Sequence, residues 1–298
     1  MKKMLFVMNP FAGQKRANRY LVDILSIFNR AGYQVTVHMT DHPGQAVQVV
    51  AGMAGDMDLV ACCGGDGTFN ETVSGLMKSG VDIPVGYIPA GSTNDFAASL
   101  GLSTNIRKAA ENIVTGSPER FDVGQFGDRY FSYVASFGAF TKASYSTPQN
   151  IKNALGHLAY VLEGIQELSQ IKKEHVRLEL DGRVIEDDFL FGAISNSTSV
   201  GGILTLDPKK VDMRDGKFEV LLVRAPVEFG EISQCILAMQ RQEYNCAMVT
   251  FASAEQIRIQ ASENMAWTLD GEREPGHSQV EVRNLHRAVQ VVCRRDEE

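Results

Sequence analysis

The chain has 298 residues, 44% of them hydrophobic and 22% charged, a balance that fits one large or two packed globular domains and excludes a disordered chain. Its net charge of −7 argues against a broad nucleic-acid-binding surface, because a phosphate backbone needs a basic face. The five cysteines, Cys62, Cys63, Cys235, Cys246 and Cys293, are odd in number and show no CxxC or zinc spacing, so they read as buried thiols in a reducing compartment.

In chain order, the N-terminus MKKMLFVMNPFAG opens like a signal peptide, but Asn9-Pro10 cuts the apolar run too early for one. No stretch approaches the roughly 18 apolar residues of a membrane-spanning helix, and a cytoplasmic chain is expected. Residues 4–8 read as a buried parallel strand. Tyr20, Leu21, Ile24, Leu25 and Phe28 give residues 17–31 the spacing of an amphipathic helix stopped by Gly32. Residues 34–39 read as a second strand, 44–54 as a second helix and 58–62 as a third strand. A helix to about Lys78 and a fourth strand over 83–88 follow. This alternation predicts a doubly wound parallel α/β sheet over 1–121, with 284–298 as a candidate completion.

Beyond Phe121 the pattern changes. Residues 129–140, 174–182, 187–196 and 217–224 are strand-like, with Asp181-Gly182 and Asp215-Gly216 as turns. Helical patterns interrupt near 150–170 and 227–241. Short strands return at 255–260, 264–269, 278–283 and 286–293. The expectation for 122–283 is an antiparallel β-sandwich.

Three loops fall at carboxyl ends of the parallel strands, where such sheets bind ligands. They are Asn9-Pro10-Phe11-Ala12-Gly13, Gly64-Gly65-Asp66-Gly67-Thr68-Phe69-Asn70-Glu71 and Pro89-Ala90-Gly91-Ser92-Thr93-Asn94-Asp95. Glycine lets backbone N–H groups approach an anion, and a following helix N-terminus adds dipole attraction. One such loop alone is better read as a turn or helix cap; three at successive strand ends point to a phosphate-rich ligand. Neither GxxxxGK[ST] nor GxGxxG occurs, which disfavours a P-loop NTPase and a dinucleotide-binding dehydrogenase.

With NPFAG at 9–13, GGDGTFNE at 64–71, IPAGSTNDFA at 88–97, FDVG at 121–124, Asp215-Gly216 and LDGE at 269–272, the chain resembles the diacylglycerol kinase catalytic family, in particular bacterial lipid kinases related to phosphofructokinases and NAD kinases. GGDGT is shared with NAD kinases; the GSTNDFA segment separates the two. The resemblance implies an ATP- and Mg²⁺-dependent lipid kinase with its active site in an interdomain cleft. It implies nucleotide contacts from Asn9, Pro10, Phe11, Ala12 and Gly13, from Thr40, from Gly64, Gly65, Asp66, Gly67, Thr68, Phe69 and Asn70, and from Thr93. It makes Asp66 the organiser of Mg²⁺ and Glu272 the general base. It also implies a second Mg²⁺ at Asp215 with Asp212 and the carbonyl of Lys217, supported by Asp122; the lysine departs from the family pattern. A lipid substrate implies visits to the inner face of the membrane, and homodimers are common among such kinases.

The chemistry implied is in-line phosphoryl transfer, which needs positioning, charge neutralisation and a base near the attacking hydroxyl. Leu-Asp-Gly-Glu also spells a β-turn, which is the plainer reading of Glu272 without the other motifs. Lys15, Arg16 and Arg19 read equally as phosphate or headgroup contacts and as a solvated helix face. His157 reads as structural, Trp267 as a packing anchor, and the aromatics of 130–140 as either an acyl-chain lining or core. A soluble small-molecule kinase such as an NAD kinase, and a non-catalytic nucleotide or lipid sensor, remain the alternatives.

Overall fold

The computed structural model describes residues 1–138, 172–200, 204–207, 209–241, 243–244 and 246–294. The N-terminal apolar run forms β1 (Lys2–Met8), in which Met4–Met8 are fully buried. A 3-10 segment over Ala12–Tyr20 leads into α1 (Leu21–Arg30), so the α-helix starts later than the apolar spacing suggests; tight 3-10 turns are frequent lead-ins to α-helices. Then come β2 (Tyr33–Met39), α2 (Gln45–Met53), β3 (Leu59–Gly64), α3 (Asp66–Ser79) and β4 (Val85–Pro89). Two helices not anticipated from the sequence follow, α4 (Asp95–Ser99) and α5 (Ile106–Thr115). The second is capped by Asn105, whose side chain accepts the N–H groups of Arg107 and Lys108 at 3.1 Å each. β5 (Ser117–Phe126) closes this half.

The remaining elements are β6 (Arg129–Phe131), β7 (Val134–Gly138), β8 (Glu174–Leu180), β9 (Arg183–Ser195), β10 (Ser199–Val200), β11 (Leu204–Thr205) and β12 (Phe218–Arg224). They continue as α6 (Phe229–Gln240), β13 (Val249–Ala254), β14 (Gln256–Gln260), β15 (Trp267–Leu269), β16 (Glu272–Glu274) and β17 (Gln279–Cys293). The two strands read over 278–283 and 286–293 are therefore one. Arg287 takes φ 51 within β17 and gives its N–H to the buried Asp122 side chain, so the polar stretch that looks like a break is a local distortion of a continuous strand. The helical pattern near 150–170, with His157, and the aromatic Phe140 lie outside the described residues, as do the side chains of Lys15 and Arg16.

The chain divides into two units, Met1–Val123 with His286–Glu298, and Gly124–Leu285. In the first unit β2, β1, β3 and β4 are parallel neighbours in that order, and β17 joins beyond β4 with Val291 opposite Val85. Alternate strand residues serve opposite faces. Met4, Phe6 and Met8 of β1 and Leu59, Ala61 and Cys63 of β3 pack with Ile24 and Phe28 of α1 and with the apolar face of α5. The other strand face carries Leu5, Val7, Val60 and Cys62, equally buried, and Cys62 hydrogen-bonds Thr72 of α3. Helices thus cover both sides of the parallel strands.

The second unit is antiparallel. β9 pairs with β8 along Arg183–Phe189 and then with β7 and β12 along Phe191–Ser195, with Leu190 bulged out where the register against β12 shifts. A bulge bends a strand, which lets one long strand serve two sheet regions. Asp181-Gly182 and Asp270-Gly271 both have two positive φ angles, 48° and 91°, and 48° and 85°. Those are the two-residue hairpin turns that Asp-Gly favours. The core is aromatic-rich, with Trp267 between Phe126 and Phe137 at ring distances of 5.0 and 4.9 Å. Trp267 is a packing residue, as its sequence context suggested.

Candidate functional site

Sequence order reverses direction around β1, since β2 lies on one side of it and β3 on the other. Crevices form at the carboxyl ends of strands at such a switch point. The loops that end β1 and β3 are tied together there. The Asn9 N–H donates to the Cys63 carbonyl at 2.9 Å, and its Nδ2 donates to Thr68 Oγ1 at 3.2 Å. The Phe11 N–H donates to Asn9 Oδ1, closing the loop on itself. Thr40, buried at the end of β2, gives its N–H to the Met8 carbonyl at 2.9 Å. The Ala90 N–H reaches the Gly64 carbonyl at 2.7 Å. Four strand ends therefore meet at the N-terminus of α3, where Gly65 offers no side-chain cap. The first N–H groups of a helix carry partial positive charge and attract anions.

Close approach explains two of the glycines. Gly13 sits at φ +49, and a Cβ there would lie 1.9 Å from the Ala90 carbonyl oxygen. A Cβ on Gly91 would lie 2.6 Å from the Gly65 Cα, so the second and third loops touch through bare backbone. Phe11 and Thr93 stand exposed on the first and third loops. Phe69 and Asn70 are buried in α3, and Phe69 stacks between Tyr87 and Phe96 at ring distances of 4.5 and 4.6 Å. Their side chains belong to the core that anchors the loop.

Asp66 reaches the third loop. Its two oxygens accept the N–H groups of Asp95 (3.1 Å) and Phe96 (3.2 Å), the first turn of α4. Burial raises the Asp66 carboxyl above its ordinary range, opposed by these backbone donors. Asn94, at φ 55, holds both the N–H (2.8 Å) and the carbonyl (3.0 Å) of Gly91 through its side chain. Glu71 plays the same part toward the second strand end, accepting the N–H of Gly44 (2.7 Å) and of Ala46 (3.1 Å) at the start of α2. Sequence reasoning gave no role to Asn94 or Glu71. Asn94 lies three residues from the Gly91 it holds, whereas the partners of Glu71 lie 27 and 25 positions away and leave no local signal.

In the second unit Glu272 begins β16, directly after the Asp270-Gly271 turn and opposite Leu269. Asp270, which the sequence reading passed over, is 4% exposed, and its carboxylate accepts the N–H groups of Ser132, Tyr133 (3.0 Å) and Val134 (2.9 Å). It locks the hairpin that presents Glu272. Asp212, Asp215 and Lys217 share one exposed loop before β12. Asp212 accepts the Arg214 N–H at 3.0 Å, Asp215 the Lys217 N–H at 2.9 Å, and the Lys217 carbonyl the Asn284 amide at 3.0 Å. Two carboxylates and a carbonyl are the oxygen donors that suit Mg²⁺, which keeps several waters. Among the described residues no three His, Cys, Asp or Glu side chains group as a metal cluster. Asp122, 1% exposed in the first unit, receives the Arg287 N–H at 2.7 Å.

Comparison with known proteins follows the same two halves. The diacylglycerol kinase catalytic domain matches residues 3–126, and the YegS C-terminal NAD kinase beta sandwich-like domain matches 134–293. The diacylglycerol kinase of Bacillus subtilis (strain 168) is 32% identical over 294 residues, covering 98% of this chain and 96% of its own length. The chain belongs to the diacylglycerol kinase family. Another member, from Staphylococcus haemolyticus, is 31% identical over 294 residues, with 97% of this chain and 88% of its own covered. The fold agrees with a crystal structure of a diacylglycerol kinase from Bacillus anthracis str. Sterne, at a TM-score of 0.74 and 22% identity over 98% of this chain and 97% of that one. Family membership makes this chain a lipid kinase, with an N-terminal α/β domain and a C-terminal β-sandwich-like domain. Among the described residues no helix is long and apolar enough to cross a membrane.

Proposed function

We propose that the chain transfers the γ-phosphoryl group of ATP to a hydroxyl of diacylglycerol or a closely related lipid. The observation that carries this reading is the set of strand-end loops tied to one another around the uncapped start of α3, with glycine wherever a side chain would collide. Such a cradle has room for phosphate oxygens against backbone N–H groups and places a helix dipole behind them.

In this reading Asn9 to Gly13, Thr40, Gly64 to Asn70 and Thr93 form the nucleotide site. Asp66 orders the loop start through α4 and lends carboxylate charge to a Mg²⁺ on the phosphates. Mg²⁺ supplies neutralisation of charge on the transferred group when bound. Asp212, Asp215 and the Lys217 carbonyl would hold a second ion, with Asp122 in support. Glu272 takes the proton of the lipid hydroxyl as that oxygen attacks phosphorus. Asp270 orients Glu272 by fixing the turn beneath it. The lipid acceptor brings the chain to a membrane surface on the cytoplasmic side, as a peripheral enzyme that works as a monomer or homodimer.

The test is transfer of labelled phosphate from Mg²⁺-ATP to a panel of diacylglycerol, phosphatidylglycerol, a sphingoid base and NAD. Transfer to a glycerolipid hydroxyl, lost by at least about 100-fold in Glu272→Gln, is the expected result. Phosphorylation of NAD alone would favour the soluble-kinase alternative. ATP binding without turnover, unchanged in Glu272→Ala, would favour a sensor.

A further inference from the structure

Glu272 does not stand alone in its unit. The Arg129 guanidinium, projecting from β6, donates through Nη2 to Glu272 Oε2 at 3.0 Å and through Nη1 to Glu274 Oε2 at 2.6 Å. Glu272 and Glu274 are two residues apart on β16 and so share a face. Glu274 is the more buried of the pair, and its other oxygen meets His277 Nε2 at 2.9 Å. One fork is thus divided between two carboxylates, and the second is steadied from behind.

We infer that Arg129 is a positioning residue for phosphoryl transfer, which holds the Glu272 carboxylate charged and aimed, while Glu274 competes for the same guanidinium and sets how firmly it does so. This rests on Glu272 being the base. Arginine suits the role because its planar fork fixes direction as well as charge. A carboxylate accepts a proton only when ionised. A guanidinium at hydrogen-bond distance favours that form, and a neighbouring carboxylate opposes it. Around Glu272 the Arg129 guanidinium from β6 also binds Glu274 on the same face of β16, His277 from the loop after it meets Glu274, and the buried Asp270 carboxylate in the turn accepts three backbone N–H groups. Arg273, between the two glutamates, alternates to the opposite face and offers Arg129 only its carbonyl, at 3.5 Å.

The decisive property is sign. Arg129→Gln leaves two carboxylates without their shared cation, so the acidic limb of kcat/KM moves to higher pH by about one unit. Glu274→Gln removes the competing charge and frees the fork, so the limb moves to lower pH by about half a unit. Turnover of Arg129→Gln at neutral pH falls by about tenfold while KM for ATP stays within about twofold, because the nucleotide loops belong to the other unit. Arg129→Lys keeps the charge without the fork; its limb stays near that of the wild type and its kcat is intermediate.

The experiment is a set of pH–rate profiles for these variants and Glu272→Gln, with melting curves to check folding. Opposite shifts in Arg129→Gln and Glu274→Gln support the inference. Unmoved limbs, or shifts of the same sign, overturn it while leaving the base reading intact if Glu272→Gln is inactive. A fully active Glu272→Gln overturns both. Should Arg129→Gln fail to fold, the direction of the Glu274→Gln shift decides alone.

Discussion

Replacing Gly13 by alanine offers a sharp test of the proposed nucleotide cradle. The ideal Cβ at this position lies 1.9 Å from the Ala90 carbonyl oxygen and 3.0 Å from its carbon. A relaxed carbon–oxygen contact needs about 3.3 Å, so one loop must retreat by more than ~1 Å. Backbone rather than a flexible side chain is in the way, and φ +49 itself costs about 1–2 kcal/mol once a Cβ is present. Together with overpacking of about 1–3 kcal/mol, the expected destabilisation is roughly 2–5 kcal/mol. A displacement of this size at a reacting site costs about 100-fold in rate. Gly80→Ala is the matched control, since φ is +67 there and nothing lies within 4 Å of the added carbon. It should lose about 1 kcal/mol and keep normal kinetics. The assay is labelled-phosphate transfer to diacylglycerol in mixed micelles, alongside urea unfolding of both variants. A Gly13→Ala protein with wild-type kcat/KM and no more loss of stability than Gly80→Ala would refute the idea that the first and third loops meet through bare backbone.

Asp66→Asn should lose activity by about 100-fold or more while remaining folded. Because burial raises the Asp66 carboxyl in the folded state, the stability it contributes is present below the ordinary carboxylate range and is lost as pH rises through the folded value. The wild type's stability relative to Asp66→Asn should therefore shrink as pH rises from below the ordinary carboxylate range to above it, which urea titrations at several pH values would reveal. Glu71→Ala uncaps α2 at Gly44 and Ala46, with an expected loss of about 1–2 kcal/mol and a raised KM for ATP through the loosened Thr40 end of β2. Thiol labelling gives an independent check. Burial drives the Cys62 thiol far above its usual range, Cys63 up to about 12 and Cys235 up to about 12. In the native protein at pH 8, Cys246 and Cys293 should react first and the other three only on unfolding. Fast labelling of Cys62 or Cys63 would contradict the buried β3.

What the sequence made legible was periodic or glycine-marked. Met4–Met8 and Leu59–Cys63 are solid apolar runs, and a strand covered on both faces leaves little else for such a run to be. The Asp181-Gly182 and Asp270-Gly271 turns were legible because few dipeptides tolerate two positive φ angles, whereas Asp215-Gly216, also read as a turn, has a positive φ only at Gly216 and lies in the loop before β12. The stretch from Asn94 to Phe126 was not read as elements. Asn94 adopts a left-handed conformation without glycine, α4 is only five residues long, and the Ile106, Ala109, Ala110 and Ile113 face of α5, half of it alanine, was passed over together with its cap at Asn105. β17 was split because a distorted residue inside a strand has the composition of a turn. At the candidate site, the glycine-rich loops proposed to meet a ligand by backbone were easier to find than the residues that hold those loops. Asp66 was given a metal role and turns out also to brace α4, while Glu71, Asp270 and Arg129 act on groups 25 or more positions away. Spacing in one sequence carries no trace of such partners.

The last part of β17 lies beside β4, and it comes after every other described strand in chain order. Until it arrives, Val85–Pro89 presents one row of unsatisfied amides and carbonyls, although the strands on its other side were synthesised some two hundred residues earlier. The nascent first unit therefore waits with an open sheet margin throughout synthesis of the second, a state in which chaperone engagement or wrongful strand addition competes with completion. A chain stopped before Val289 should keep its phosphate loops intact in sequence yet precipitate on release.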